Sequence, residues 1–228
     1  MENPWLEFVK NLDDNNLVLE QEQEIIEKFN NSTNETYKVL TEIMPAPFMG
    51  NVLTSPIVLL TLNPVYDEKE EEKNYYNEYK LYWKNEIQHI HSVPELPLFC
   101  LEDKYVEYSD YWLKKFMSLI SVSSKEKVAQ NISIIQFFPY HTKKYKNIPK
   151  RLLKGYLESQ DYNFELVKQA IERKAIIIIL RSKKLWFEAI PDLDNERTRF
   201  TNSALNTIQS EKNLGGTFKE IVDILNKD

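Results

Sequence analysis

The chain has 228 residues, a net charge of −6 and only four glycines, with no GxGxxG or GxxxxGKS/T pattern. The usual dinucleotide and nucleoside triphosphate cradles are therefore absent, and indiscriminate coating of DNA is disfavoured. Three histidines and one cysteine leave no basis for a structural zinc site or an internal disulfide, and no apolar run approaches the roughly 20 residues that span a bilayer. We expect one cytoplasmic domain, residues 1–228, without a metal, another cofactor or a membrane partner, since the N-terminus lacks a signal-peptide layout.

The N-terminal 43 residues read as helices, because apolar residues such as Trp5, Phe8, Ile26 and Phe29 recur at helical spacing. We interpret this part as a helical extension that precedes a core spanning residues 44–228.

An acidic run at 67–72 opens a second helical stretch, predicted over roughly 69–90. Its aromatic residues fall mostly on one side of that helix: Tyr75, Tyr76, Tyr79, Tyr82 and Trp83. The aromatic residues within 105–116 repeat the pattern. Regularly spaced aromatics on a helix usually face a core, so packing is the favoured interpretation and a base-stacking platform is the alternative.

Four segments have the composition of β-strands: 57–62, 132–138, 175–180 and, more weakly, 197–202. The first three are continuous apolar runs, as expected for parallel strands covered by helices on both faces. Helical stretches at 104–120, 149–174 and 183–190 separate the strands, and this alternation indicates βαβ units and a parallel sheet. The predicted class is therefore α/β, with ligands expected just beyond the carboxyl ends of the strands.

The first strand is followed by Asn63-Pro64-Val65-Tyr66-Asp67. Proline biases the residue before it away from the helical region, so Asn63 is predicted to be extended, with its amide aimed out of the sheet. An Asx turn that only closes the strand is the alternative.

The second strand leads into a loop that offers an amide, aromatic surfaces and an imidazole together: Gln136, Phe137, Phe138, Pro139, Tyr140 and His141. We predict that this loop contacts a substrate, although a lone histidine is more often a structural residue.

Six basic residues follow within twelve positions: Lys143, Lys144, Lys146, Lys150, Arg151 and Lys154. In an acidic chain such a cluster predicts a surface that faces phosphates, and a solvated helix face is the alternative. Arg181, after the third strand, would suit a phosphate or a carboxylate, or an internal ion pair. The fourth strand is followed by Ser203-Ala204-Leu205-Asn206.

Two segments resemble the opening of the uracil-DNA glycosylase-like superfamily: 46–51 (Ala-Pro-Phe-Met-Gly-Asn) and the run Ile57-Val58-Leu59-Leu60-Thr61-Leu62-Asn63-Pro64. There an apolar strand leads into a loop of Asn-Pro-Gly or Asp-Pro-Tyr type. Ser133-Ile134-Ile135-Gln136, then 175–180, then 197–206 resemble the later family elements in order. The resemblance covers residues 45–225 in layout and implies a three-layer α/β/α sandwich with a four-stranded parallel sheet, base flipping and no cofactor.

The resemblance also implies roles for single residues. Asn63 would orient the water that attacks the sugar C1′, and Pro64 and Tyr66 would shape the wall of the pocket. Gln136 would read the edge of a flipped base, on which Phe137 or Phe138 would stack.

The chain departs from the family pattern at three places. Val65 replaces a glycine, the longer Gln136 replaces an asparagine, and the segment 203–206 contains no histidine to stabilise charge on the departing base. His141 or Asn206 would have to take that role. The single cysteine, Cys100, excludes the iron–sulfur cluster of some family members.

Three hypotheses follow. The first is a glycosylase-like enzyme that acts on a modified or mismatched base in DNA. The second is a non-catalytic module that binds a nucleotide, a nucleic acid or a protein on the same scaffold. The third is a different hydrolase, with His141 as general base and Asp67 or Asp110 as the residue that orients it.

Overall fold

A computed structural model describes residues 1–12, 16–64, 66, 80–91, 96–107, 109–203 and 206–227. Predictions for Val65, Asp67, Tyr75, Tyr76, Tyr79, Ala204 and Leu205 fall outside these residues, as do residues 69–79, the first half of the predicted helix at 69–90. The described part of the chain divides into two compact units. The first comprises Met1–Pro47, Leu62–Ile90 and Gln136–Glu165, and the second comprises Phe48–Thr61, His91–Ile135 and Leu166–Asp228. The single-domain organisation stays a prediction.

The described residues contain ten α-helices: α1 (Trp5–Lys10), α2 (Glu20–Ser32), α3 (Lys80–Ile87), α4 (Asp103–Val106), α5 (Tyr111–Ile120), α6 (Lys125–Asn131), α7 (Glu158–Glu172), α8 (Lys183–Ala189), α9 (Glu211–Leu214) and α10 (Gly216–Leu225). Short 3₁₀ turns lie at Glu35–Tyr37, Phe99–Leu101 and Pro191–Leu193. No helix of the described residues is both long enough and apolar enough to cross a membrane.

The strands are β1 (Phe48–Met49), β2 (Ile57–Thr61), β3 (Ile132–Gln136), β4 (Ile176–Ile179) and β5 (Thr198–Phe200). They form one sheet in the order β1-β3-β2-β4-β5. β2 and β4 are parallel, with Ile57 opposite Ile176, and β4 and β5 are parallel, with Ile177 opposite Thr198. Every residue of β2, β3 and β4 is buried, including the polar Ser133 and Gln136 of β3, as expected for strands covered on both faces.

The α/β class is confirmed, but the sheet differs from the predicted four-stranded parallel one. It has a fifth strand, β1, which runs antiparallel to β3 with Phe48 opposite Ile135, so the sheet is mixed. Gly50 follows β1 with φ of +84°, and a Cβ on it would lie 2.7 Å from the backbone oxygen of Ile132. Glycine is therefore required where this turn approaches β3.

The predicted helix at 149–174 begins only at Glu158. Pro149 starts a turn in which its carbonyl accepts hydrogen bonds from the backbone nitrogens of Leu152 and Leu153, and Gly155 has φ of +104°. A residue in that conformation cannot continue a right-handed helix, so the first nine predicted positions form a loop.

Candidate functional site

The first unit holds the loops that follow β2 and β3, and backbone hydrogen bonds join them. The Phe138 nitrogen donates to the Leu62 carbonyl at 2.8 Å, and the Thr142 nitrogen donates to the Pro64 carbonyl at 3.4 Å. On the other edge of the same segment, Ala46 donates to the Pro139 carbonyl at 2.9 Å. Residues 138–142 therefore form an extended segment with a backbone partner on each side.

Asn63 lies in this junction with its amide held in one orientation. Its Nδ2 donates to Thr142 Oγ1 at 2.9 Å and to the Pro64 carbonyl at 3.0 Å, which uses both amide hydrogens. The residue is 8% exposed and Thr142 is 2% exposed. No donor among the described residues bonds to Asn63 Oδ1, so this oxygen is an oriented acceptor available to a water or a ligand.

Tyr66 and His141 meet at the same junction. Their rings are 6.2 Å apart with an interplanar angle of 90°, and the Tyr66 nitrogen reaches the Thr142 carbonyl at 3.5 Å. Pro64 precedes them with its carbonyl bound by both Asn63 and Thr142. The structure thus brings together four predicted site residues of the two loops.

His141 is fully buried, and burial lowers the pKa of its imidazole to about 3. Desolvation disfavours the charged ring, so His141 is neutral at physiological pH and would be a weak base there. A general base needs a pKa near the working pH and reach to the substrate proton. A catalytic role of His141 stays a prediction. Of the two proposed orienting residues, Asp67 lies outside the described residues and Asp110 belongs to the second unit.

Gln136 ends β3, and its backbone is fixed from two directions. Its nitrogen donates to the Pro47 carbonyl at 2.9 Å, and its own carbonyl accepts a 2.9 Å hydrogen bond from Asn163 Nδ2. Gln160, three residues earlier on α7, donates from Nε2 to the Phe137 carbonyl at 3.1 Å. Two buried amides of one helix therefore hold the end of β3, and sequence reasoning missed both.

Phe137 and Phe138 are buried in an aromatic cluster and present no open ring face. Phe137 packs 5.2 Å from Phe164, and Phe138 packs 5.6 Å from both Tyr140 and Tyr145. Their predicted stacking on a base would require the cluster to open.

Tyr140, predicted to bind substrate, is fully buried and engaged with a carboxyl group. Its hydroxyl donates to Glu22 Oε2 at 2.5 Å and accepts from the Leu19 nitrogen at 3.2 Å. The same carboxyl accepts from the Ser159 nitrogen at 2.7 Å and from Ser159 Oγ at 3.0 Å. Burial raises the pKa of Glu22 to about 7, against the hydrogen bonds of Tyr140 and Ser159, which lower it. Tyr140 therefore joins α2 to the loop after β3 and to the start of α7.

Glu22 and Ser159 were missed by sequence reasoning, although Glu22 carried a signal. It lies on α2 four residues before Ile26, and Glu22, Ile26 and Phe29 are the buried residues of that helix. A carboxylate on an apolar helix face is expected to have specific partners.

The other predicted site residues belong to the second unit. Arg181 lies two positions after the last residue of β4. It is exposed and makes no ion pair with a described residue. Ser203 and Asn206 are exposed, and Asn206 Oδ1 accepts a 3.0 Å hydrogen bond from the Ile208 nitrogen, which closes an Asx turn.

The predicted phosphate-facing residues lie in the first unit on the loop between β3 and α7. Lys144, Lys146, Lys150 and Arg151 are exposed, and Lys143 is half-buried. The alternative of a solvated helix face does not apply, because residues 143–157 contain no helix.

No protein-family model, curated protein or solved structure matches the chain. Within the described ranges, no group of three or more His, Cys, Asp and Glu side chains could hold a metal ion.

Proposed function

We propose that this protein hydrolyses the N-glycosidic bond of a modified or mismatched base in DNA, with Asn63 as the residue that orients the attacking water. The observation that carries the proposal is the fixed amide of Asn63. Both Nδ2 hydrogens are bound within the chain, which leaves Oδ1 as the acceptor at the end of β2. The likeness of Leu62-Asn63-Pro64 to the glycosylase-like superfamily supports the same role.

In this mechanism Asn63 Oδ1 accepts a hydrogen bond from a water and aims the water oxygen at the sugar C1′. The water oxygen bonds to C1′, the bond from C1′ to the base nitrogen breaks, and the base leaves with that electron pair. The proton lost by the water passes to solvent or to the departing base. Asn63 acts by orientation and takes no proton, since a carboxamide is not basic at neutral pH.

The proposal includes a glycosylase-like α/β/α core around the sheet, which the parallel order of β2, β4 and β5 supports. Gln136 is assigned to the edge of the flipped base, since its backbone is fixed at the end of β3. Gln136 is longer than the family's asparagine, and the segment 203–206 contains no histidine. Both differences favour a base other than uracil. A modified base that leaves easily needs less stabilisation of its developing charge.

The test is a base-release assay on oligonucleotides that carry uracil, hypoxanthine, xanthine or a thymine mismatch. The wild type is expected to release at least one of these bases. Asn63→Ala is expected to lower the rate by about 100-fold or more while the protein still binds the oligonucleotide, because loss of a positioning group carries a cost of that order. Asn31→Ala, an exposed asparagine at the end of α2, is the matched control and should keep full activity.

Full activity of folded Asn63→Ala would overturn the mechanism. Release of no base by folded wild-type protein would instead favour the second hypothesis, a non-catalytic module that binds a nucleotide, a nucleic acid or a protein.

A further inference from the structure

The connection between β3 and α7 is unusually long for an ordered segment. Residues 137–157 contain no helix or strand, and their only β-bridge joins Thr142 to Val39. Connections of more than about 12–15 residues without regular structure are uncommon in compact proteins, and most of them are functional or disordered.

The part of this connection that spans 143–157, hereafter the basic loop, is tied to the first unit at several points. The Lys144 nitrogen donates to the Thr36 carbonyl at 2.9 Å. The rings of Tyr145 and Tyr156 pack edge-on against Phe137, at 6.4 Å and 6.0 Å. These contacts hold the basic loop against the rest of the first unit, with its aromatic side chains packed inward.

All charged residues of the basic loop are basic. It contains six basic residues and no acidic residue, in a chain that has 35 acidic and 29 basic residues. Five of the six are exposed, and four of these have no side-chain hydrogen bond, ion pair or cation–π contact with a described residue: Lys144, Lys150, Arg151 and Lys154. Like charges that repel one another on a loop weaken the folded state, so an anionic partner would stabilise it.

The remaining two basic residues are placed differently. Lys146 Nζ lies 5.3 Å from the centre of the Tyr37 ring and 3.3 Å from Thr33 Oγ1, so it fixes the loop to the segment after α2. Lys143 is half-buried. The six basic residues thus divide into four exposed side chains that contact no described residue and two, Lys143 and Lys146, that interact with the rest of the chain.

We propose that the basic loop is a docking surface for the phosphate backbone of a nucleic acid, with Lys144, Lys150, Arg151 and Lys154 as its contacts. Several cations on one loop match a partner whose negative charges repeat along a chain. Arginine adds bidentate hydrogen bonds to phosphate oxygens. The inference goes beyond the proposed hydrolysis, because phosphate binding by these residues requires nothing of Asn63.

The test measures binding of the full chain to a fluorescent oligonucleotide between about 50 and 200 mM salt, where neutralised phosphates set the slope of log affinity against log salt. Replacement of the four contacts together (K144Q, K150Q, R151Q and K154Q) is expected to reduce the slope by about 3 to 4, at roughly 0.7–0.9 per phosphate contact. Lys146→Gln should change the slope by less than about 1. The matched control replaces four exposed lysines elsewhere (K28Q, K184Q, K212Q and K219Q), which gives the same charge change and should leave the slope unchanged.

An equal loss of slope in the matched control would overturn the inference, since net charge alone would then explain binding. Absence of oligonucleotide binding by the wild type, or equal binding of polyglutamate through the same four residues, would also overturn it, the latter in favour of an acidic protein partner. The outcomes separate this inference from the proposed hydrolysis. Loss of binding in the fourfold variant without any base release supports the docking surface alone, and base release with an unchanged slope supports the hydrolysis alone.

Discussion

Asn63 Nδ2 donates a 2.9 Å hydrogen bond to Thr142 Oγ1, and both side chains are buried. This contact fixes the amide so that Oδ1 is the atom left to act as an acceptor. Thr142→Val keeps the shape of the side chain but leaves one Nδ2 hydrogen without its partner. We expect the free energy of unfolding in urea to fall by about 1–3 kcal/mol, the cost of a buried unsatisfied donor.

The same variant tests whether orientation of Asn63 matters for chemistry. If the protein releases a base, Thr142→Val should lower the rate by about 10- to 100-fold, because a small misplacement of a positioning group is costly. Thr142→Ser keeps the hydroxyl and should recover most of the rate. Equal rates for the valine and serine variants would show that the contact serves stability only.

Glu22 should make stability fall as the pH rises. Its pKa is raised from 4.5 to about 7 in the folded state, so the folded protein holds a proton that the unfolded chain has already released between these values. The contribution is fully present below pH 4.5 and is lost as the pH passes through about 7. At about 1.36 kcal/mol per pH unit, this lowers the free energy of unfolding by about 3 kcal/mol. Glu22→Gln should abolish this pH dependence. The nearby Glu158 carboxylate also raises the pKa of Glu22, while Tyr140 and Ser159 lower it.

His141 opposes Glu22 over part of this range. Its pKa is lowered from 6.5 to about 3, so its contribution is present above pH 6.5 and is lost as the pH falls towards 3. The difference in free energy of unfolding between wild type and Glu22→Gln, measured in denaturant at matched pH values, gives the contribution of Glu22 alone. Glu27→Gln, an exposed position on the same helix, is the control. A constant difference between wild type and Glu22→Gln from pH 4.5 to 7.5 would contradict the shifted pKa.

The sheet could be predicted where the sequence pattern reports burial directly. β2, β3 and β4 are rich in apolar residues and buried along their whole length, as expected for strands covered on both faces. β1 could not be predicted in this way. It has two residues between Pro47 and Gly50, too few for any periodicity, and its pairing with β3 depends on a partner more than eighty residues away.

The candidate site could be predicted only where neighbouring residues restrict one another. Pro64 restricts Asn63 locally, so the prediction of an extended Asn63 after β2 needs only two adjacent residues. Its partner Thr142 lies 79 residues along the chain, and no local rule pairs them. The predicted helix over 149–157 was wrong, because the turn at Pro149 and the positive φ of Gly155 shape the basic loop instead.

Gly50 offers the sharpest test of the fold. Its φ is +84°, and a Cβ there would lie 2.7 Å from the Ile132 carbonyl oxygen and 3.2 Å from the Ser133 Cα, both of which belong to β3. Because the obstacle is backbone, it cannot be relieved by rotating a side chain. Gly50→Ala should therefore lower the free energy of unfolding by at least about 1–3 kcal/mol, the usual cost of a strained backbone position, with the contact adding to it.

Gly216, the first residue of α10, is the matched control. It has no positive φ, and a Cβ on it would meet no atom within 4 Å. Gly216→Ala should raise the free energy of unfolding by about 0.4–1 kcal/mol, because alanine restricts the unfolded chain more than glycine does. Both variants are compared by urea unfolding. A Gly50→Ala protein as stable as wild type would mean that β1 does not pack beside β3 as described, since the added methyl group would then have room that this pairing denies it.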